Sequence, residues 1–278
     1  MVAGRGFMPR PRRGGSERKR ALEGGSQFPL QVDLIGDYGY KFKLKMERAR
    51  REDIITIPRL EQIPFLVHGF GTRDWKDEDF RQRPEWKRFR FLFLNQVHSD
   101  IIRFIDSLPE KELRGDAMVT GLPSLLLIIK TADCLPVLVV DESRRVIAAV
   151  HCGWRGTSRG VVKRAIQSMV ERFGCCPSAL LVGLGPCIEG ECYEVGEDVL
   201  QAFRREGLKT KFFKAHPSRK GKYFFDLKGE NLSQLVSAGV NEKNIYSADC
   251  CTYCDNSLPS FRREKEGAGR MLSFIGMK

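Results

Sequence analysis

The chain has 278 residues, 42% of them hydrophobic and 29% charged, which is enough apolar material for a sizeable core. Its longest apolar runs, 125–129 and 135–140, fall well short of the roughly 18–20 residues that cross a bilayer, and no secretory-type apolar stretch follows the basic N-terminus. The expectation is a soluble cytoplasmic protein with no membrane role.

The net charge of +12 points at first to nucleic acid. Residues 1–30, "MVAGRGFMPRPRRGGSERKRALEGGSQFPL", hold seven Lys/Arg against two Glu and have little to bury. They read as a disordered basic extension. The mixed-sign stretch at 73–90, "RDWKDEDFRQRPEWKRFR", reads as solvated surface, so no specific nucleic-acid partner is expected. Nine cysteines in a chain without an export signal are thiols, ligands or nucleophiles rather than disulfides. The four histidines, His68, His98, His151 and His216, limit what metal chemistry is available.

After the extension, "LNQVHSD" (94–100) carries His98 on a short apolar run. "LLLIIK" (125–130), "LPVLVV" (135–140) and "RVIAAVH" (145–151) have the composition of buried strands. From Thr157 the period changes. Val161, Val162, Ala165, Ile166, Met169, Val170 and Phe173 share one helical face, with Thr157 or Ser158 as the expected cap, Gly174 as the terminator and Pro177 as the stop. "LLVGLGP" (180–186) reads as another buried strand, and 195–207 and 228–239 read as helices closed by glycine. There is no internal repeat and no linker after residue 30. The fold class is mixed α/β (α+β), one domain over 31–278.

"DESR" at 141–144 predicts a hairpin between the second and third strands. Centring the turn on Glu142 and Ser143 pairs Val140 with Arg145, Leu138 with Ile147, Pro136 with Ala149, and Cys134 with His151. Opposed residues in an antiparallel pair project to one face, so Cys134 and His151 come within reach of a shared ion or proton, while Cys152 points the other way. Asp133 stands beside the thiol in "TADC" and is a candidate to orient a ligand imidazole. On spacing alone, three readings stay open. His98, Cys134 and His151 are the three protein ligands of an open zinc site, or Cys134 and His151 are a nucleophile pair with His98 apart, or all three are strand residues with no chemistry. Cys251 and Cys254, in "CCTYC", have zinc-knuckle spacing, but a closed site needs two more ligands such as Cys187 and Cys192. Buried unbridged thiols are the simpler reading.

The stretches "VHGFGTR" (67–73), "NQVHSD" (95–100), "GDAMVT" (115–120) and "TADCLPVLVVD" (131–141) occur together, followed by "AAVHCGWRGTSRGVV" (148–162), "GPCIEGECYEVGEDV" (185–199) and "CTYCDNSLPSFRREKEGAGRM" (251–271). In this order they resemble the YfiH-like, laccase-domain purine nucleoside phosphorylases, a family also called polyphenol oxidases or peptidoglycan-editing proteins. The resemblance implies a zinc site of His98, Cys134 and His151, with copper as a substitute. It implies one domain with a β-sandwich-like core flanked by helices. The implied partners are purine nucleosides and phosphate: phosphorolysis of adenosine, inosine and S-methyl-5'-thioadenosine, with adenosine deamination alongside. Alternatives within the family are a hydrolase editing cell-wall precursors and a copper-dependent phenol oxidase. Four histidines are too few for a multinuclear copper centre, which weakens the oxidase reading. Arg155 is the leading phosphate ligand, with Arg73, Arg262 and Arg270 as further candidates and Asn95 and Gln96 as groups for base or sugar edges. Three departures stand out: Cys152 where the family often has Ala, "DWKDEDF" (74–80) where a glycine-rich segment is common, and "SFRR" for "SYRR".

Overall fold

Segments rich in Leu, Val and Ile lie at the centre of the structure, a computed structural model in which residues 30–35, 41–46, 48–51, 53–73 and 81–278 are described. The expected basic extension, up to residue 29, and the segment 74–80 after Arg73 lie outside the described residues. Every residue of Leu135–Asp141 and Val146–Cys152 is buried, and six of the seven in Leu125–Thr131 are. Both faces of these strands are covered, which is why their sequences run apolar without alternation.

Among the described residues there are three sheets. Leu135–Asp141 and Val146–Cys152 are antiparallel neighbours inside an eight-stranded sheet, flanked by Leu181–Leu184 and Ala117–Thr120. Leu125–Thr131 lies inside a seven-stranded sheet, antiparallel to Met271–Met277 and parallel to Arg90–Asn95. The two large sheets pack face to face through Leu138, Val140, Ile147 and Ala149 on one side and Leu127, Ile129 and Ile275 on the other. The opposite face of the eight-stranded sheet (Val137, Val139, Ala148, Val150) is covered by the helices Val161–Phe173, Glu197–Arg205 and Leu227–Ser237. Trp86 and Phe89 close the outer face of the other sheet against Leu126, Leu272 and Phe274. The architecture is a mixed α/β domain with a sandwich core and helices outside it. A smaller sheet of Glu194–Gly196, Lys222–Phe225 and Phe213–Ala215 stands beside the helices.

The hairpin forms, but its register is two residues from the expected one. Val140 faces Ile147, Leu138 faces Ala149, Pro136 faces His151 and Leu135 faces Cys152. The cause lies in the turn. The Asp141 carboxylate accepts the backbone N–H groups of Ser143 and Arg144, each at 2.9 Å, and Arg145 takes a left-handed φ of 52°, so four residues rather than two make the connection. A shift of two preserves side-chain parity. Cys134 therefore still neighbours His151 on the inter-sheet face, one step beyond the strand end rather than directly opposite. Cys152 is buried on the helix side.

The helix Val161–Phe173 buries Val161, Val162, Ala165, Ile166 and Met169, and Gly174 ends it at φ 65°. Its expected caps are elsewhere. Thr157 and Ser158 belong to a separate short helix, Trp154–Ser158, and Gly160 at φ 74° separates the two. Thr157 Oγ1 meets the Asn231 amide instead, and the Gln234 amide donates to the Thr157 carbonyl at 2.9 Å, tying the turn after His151 to the helix Leu227–Ser237. That helix is capped by Asp226, whose side chain accepts the Gly229 N–H at 2.8 Å.

Candidate metal centre and cavity

His98, Cys134 and His151 converge where the two large sheets meet: their donor atoms all lie within 4.8 Å of one another. Cys134 Sγ is 4.0 Å from His98 Nε2, and the two imidazole rings meet edge-on with centroids 4.9 Å apart. His151 projects from the penultimate position of its strand, Val146–Cys152. Cys134 follows Asp133, whose φ of 82° turns the chain between two strands.

One carboxylate positions two of the three. Asp116 is fully buried, and its Oδ1 pairs with His151 Nδ1 at 2.8 Å. The same carboxylate accepts three consecutive backbone N–H groups: Val97 at 3.3 Å, His98 at 3.0 Å and Ser99 at 2.6 Å. Such a run of N–H groups is an anion nest, and wrapping it around Asp116 puts His98 in a left-handed conformation with φ 55°. With Nδ1 held, His151 presents Nε2 to the centre. Gly153 leaves the room: a Cβ there would stand 2.9 Å from the His98 ring and 3.1 Å from Cys134 Sγ.

The electrostatics of the trio are coupled. Burial pushes the Cys134 thiol up, but the charge and hydrogen bond of His151 and the hydrogen bond of His98 outweigh it and hold the thiol down at about 6. Burial pushes His151 down, yet the Cys134 charge and the Asp116 hydrogen bond raise it to about 9. Asp116 is desolvated, but hydrogen bonds from His151 and Ser99 bring it to about 2. Cys152, by contrast, is driven well up, first by burial and then by the charges of Cys134 and Asp116, and packs among apolar side chains. Two imidazoles, a thiol poised to ionise and a carboxylate behind one imidazole are the donor chemistry of an open zinc site, so these residues fit the implied metal.

The trio opens into a cavity of about 700 Å³ that also takes in Asn95, Asp133, Arg155, Arg262 and Arg270 from the expected site residues. Arg155 is exposed, with its guanidinium 4.3 Å above the Trp154 ring. Arg262 lies over Tyr193 at 5.4 Å, and Arg270 donates to the Ala268 and Gly269 carbonyls. Gln96 also lines the cavity, but its amide is paired with the Lys130 backbone in both directions, at 2.9 and 2.7 Å, and so clamps the strand end. Arg73 lies apart from the cavity lining. It grips Glu264 bidentately and donates to the Asn256 and Leu258 carbonyls, a brace for the 256–264 loop. Asp133 is corrected as well. The carboxylate on the ligand imidazole is Asp116, whereas Asp133 accepts Thr252 Oγ1 at 2.7 Å and the Arg262 N–H at 2.6 Å.

Sequence reasoning missed Asp116, Gly153 and Tyr193. For Asp116 a signal existed: an acidic residue heading the apolar run "DAMVT" must find partners if the run is buried. Of the other two histidines, His68 accepts the Ile57 N–H at 3.0 Å within the core, and His216 accepts the Ser218 and Arg219 N–H groups while stacking on Phe224. Two imidazoles thus serve the centre, one mononuclear donor set.

Known proteins resemble this chain over most of its length. The chain is 38% identical to a purine nucleoside phosphorylase of Clostridium acetobutylicum, over 76% of this chain and 86% of that protein. It is 33% identical to adenosine deaminase RL5 from an unknown prokaryotic organism, over 66% of this chain and 73% of that protein. The crystal structure of the hypothetical protein YfiH from Bacillus licheniformis superposes with a TM-score of 0.74 at 25% identity, covering 82% of this chain and 97% of that one. Residues 77–278 match the family described as "Multi-copper polyphenol oxidoreductase laccase". The chain belongs to that laccase-like, YfiH-type family.

Proposed function

We propose that the chain is a zinc-dependent purine nucleoside phosphorylase acting on adenosine, inosine and S-methyl-5'-thioadenosine, with adenosine deamination as a second activity. The observation that carries this reading is the shared cavity, in which a two-imidazole, one-thiol centre and the cationic side chains of Arg155, Arg262 and Arg270 face the same space. The names of the relatives, phosphorylase and adenosine deaminase, support the same substrate class.

Phosphorolysis joins a phosphate oxygen to the anomeric carbon of the sugar while the bond to the base nitrogen breaks and the base leaves with the electron pair. His98, Cys134 and His151 would hold zinc, which supplies Lewis acidity when bound. Asp116 keeps the proton on His151 Nδ1 and so fixes the imidazole's direction. Arg155 binds phosphate: its guanidinium carbon lies 4.3 Å from the Trp154 ring centroid, and its N–H groups suit a bidentate anion. Asp133 acts as a positioning residue, fixing the backbone of Arg262, and Arg262 and Arg270 add positive charge beside the anion. Burial pushes the Tyr193 phenol up, so it stays neutral as a donor in the cavity wall. Phe261, exposed in the cavity wall, offers its ring to a purine.

The test follows hypoxanthine release from inosine by metal-analysed protein, with and without phosphate. Phosphate-dependent release that is lost in Cys134→Ala and His98→Ala is expected. Arg155→Ala should raise the KM for phosphate roughly 10–100-fold, the loss of a charge-assisted hydrogen-bond pair, with metal content unchanged. Turnover of a cell-wall amide or a phenol with none of inosine would overturn the reading.

A further inference from the structure

A second cluster of soft donors lies outside the centre described above. Cys192, Cys251 and Cys254 bring their Sγ atoms within 4.8 Å of one another, with Cys192 and Cys254 at 3.4 Å. Packing does not account for them. Cys152 and Cys187 are buried in apolar surroundings, whereas Cys192 and Cys251 are only half-buried and Cys254 is exposed.

The scaffold beneath the three thiols is built mostly from backbone hydrogen bonds and ion pairs. The two segments join through a parallel bridge in which Cys187 N–H donates to the Cys250 carbonyl at 3.2 Å and Thr252 N–H to the Cys187 carbonyl at 3.0 Å. Buried Lys228 ties Glu189, at 2.5 Å, to Asp249, at 3.4 Å, one from each segment. Arg263 donates to the Thr252 and Tyr253 carbonyls, each at 2.7 Å, and so fixes the turn that sets Cys251 and Cys254 side by side. The Glu189 N–H points at Cys251 Sγ at 3.5 Å, the kind of backbone donor that supports a metal-bound thiolate. Held in this way, the donors are preorganised.

We propose that Cys192, Cys251 and Cys254 form a second, three-thiolate metal site for a thiophilic d¹⁰ cation, zinc(II) or copper(I). Three thiolates from two chain segments match the preferences of both ions, and zinc would take a fourth ligand from solvent. Binding releases the thiol protons and leaves three metal–sulfur bonds, with no change of oxidation state. The ion staples the cavity wall. Cys192 directly precedes Tyr193, and Thr252, between the other two ligands, holds Asp133.

The experiment uses the full chain under reducing conditions with His98→Ala and Cys134→Ala combined, which removes the first centre. Titration with Zn²⁺, and separately with Cu⁺, is expected to load one equivalent of at least one ion and to raise Tm by several degrees. Co²⁺ should give a thiolate charge-transfer band. Adding Cys251→Ser and Cys254→Ser should abolish uptake and band together. Cys254→Ser alone, at an exposed position, separates metal loss from unfolding: it should weaken the band and the Tm rise while far-ultraviolet circular dichroism is unchanged. Failure of the double variant to retain either ion, or a Cys254→Ser variant that binds as tightly as its parent, overturns the site. Loss of the first centre with retention of this one separates the proposal from the proposed activity.

Discussion

Asp116 shows how much one side chain can organise. It receives the imidazole of His151 and three backbone N–H groups of the loop that carries His98, so two ligands depend on one carboxylate. Asp116→Asn removes the charge and turns an amide N–H₂ toward donors that need an acceptor. Metal affinity is expected to fall about 10–100-fold, measured by competition with a chelator of known affinity. Cys152→Ala tests the neighbouring position. Its side chain lies among apolar groups on the helix side, so the expected cost is about 1 kcal/mol of stability by urea unfolding, with metal content unchanged by elemental analysis. Loss of metal from Cys152→Ala would contradict the division of labour between the adjacent His151 and Cys152.

At the scale of elements, the segment after His151 is two helices rather than one capped helix. Gly160 makes the break: at φ 74° it redirects the chain, and beyond its own chain neighbours nothing lies within 4 Å of where a Cβ would stand. Gly160→Ala therefore isolates the conformational penalty, expected at about 1 kcal/mol in urea unfolding. An unchanged midpoint would show that this backbone relaxes without cost. The strands and the apolar helix face were legible because their periods are local properties of the chain. The break at Gly160 was not, because Thr157 satisfies ordinary capping preferences and only the presence of Asn231 and Gln234 across the helix layer draws it elsewhere. The hairpin register was likewise hidden in the Asp141 side chain, which lengthened the turn by two residues and left parity intact.

For the whole molecule, a buried neutral histidine sets an acid-side limit on stability. Burial lowers His68 from 6.5 to about 4. The unfolded chain therefore binds the extra proton first, and stability falls as pH drops from about 6.5 through about 4, then levels for this group. The full effect is on the order of 3 kcal/mol. His68→Gln, which can still accept the Ile57 N–H, should flatten the urea midpoint across that window. A profile unchanged from the parent would assign the acid sensitivity to other groups. Among the described residues, no helix is long and apolar enough to cross a membrane.

By itself the sequence determined the strand-rich mixed class, the opposite facing of His151 and Cys152, and the neighbourhood of Cys134 and His151, because alternation along a strand and a short hairpin are local constraints. Tertiary structure decided which carboxylate serves the imidazole, which arginines reach the cavity, and that Cys192 meets Cys251 and Cys254. These contacts join residues far apart in the chain, such as Asp133 with Thr252 and Arg73 with Glu264. Packing of the two sheets, rather than any spacing along the chain, brings such partners together.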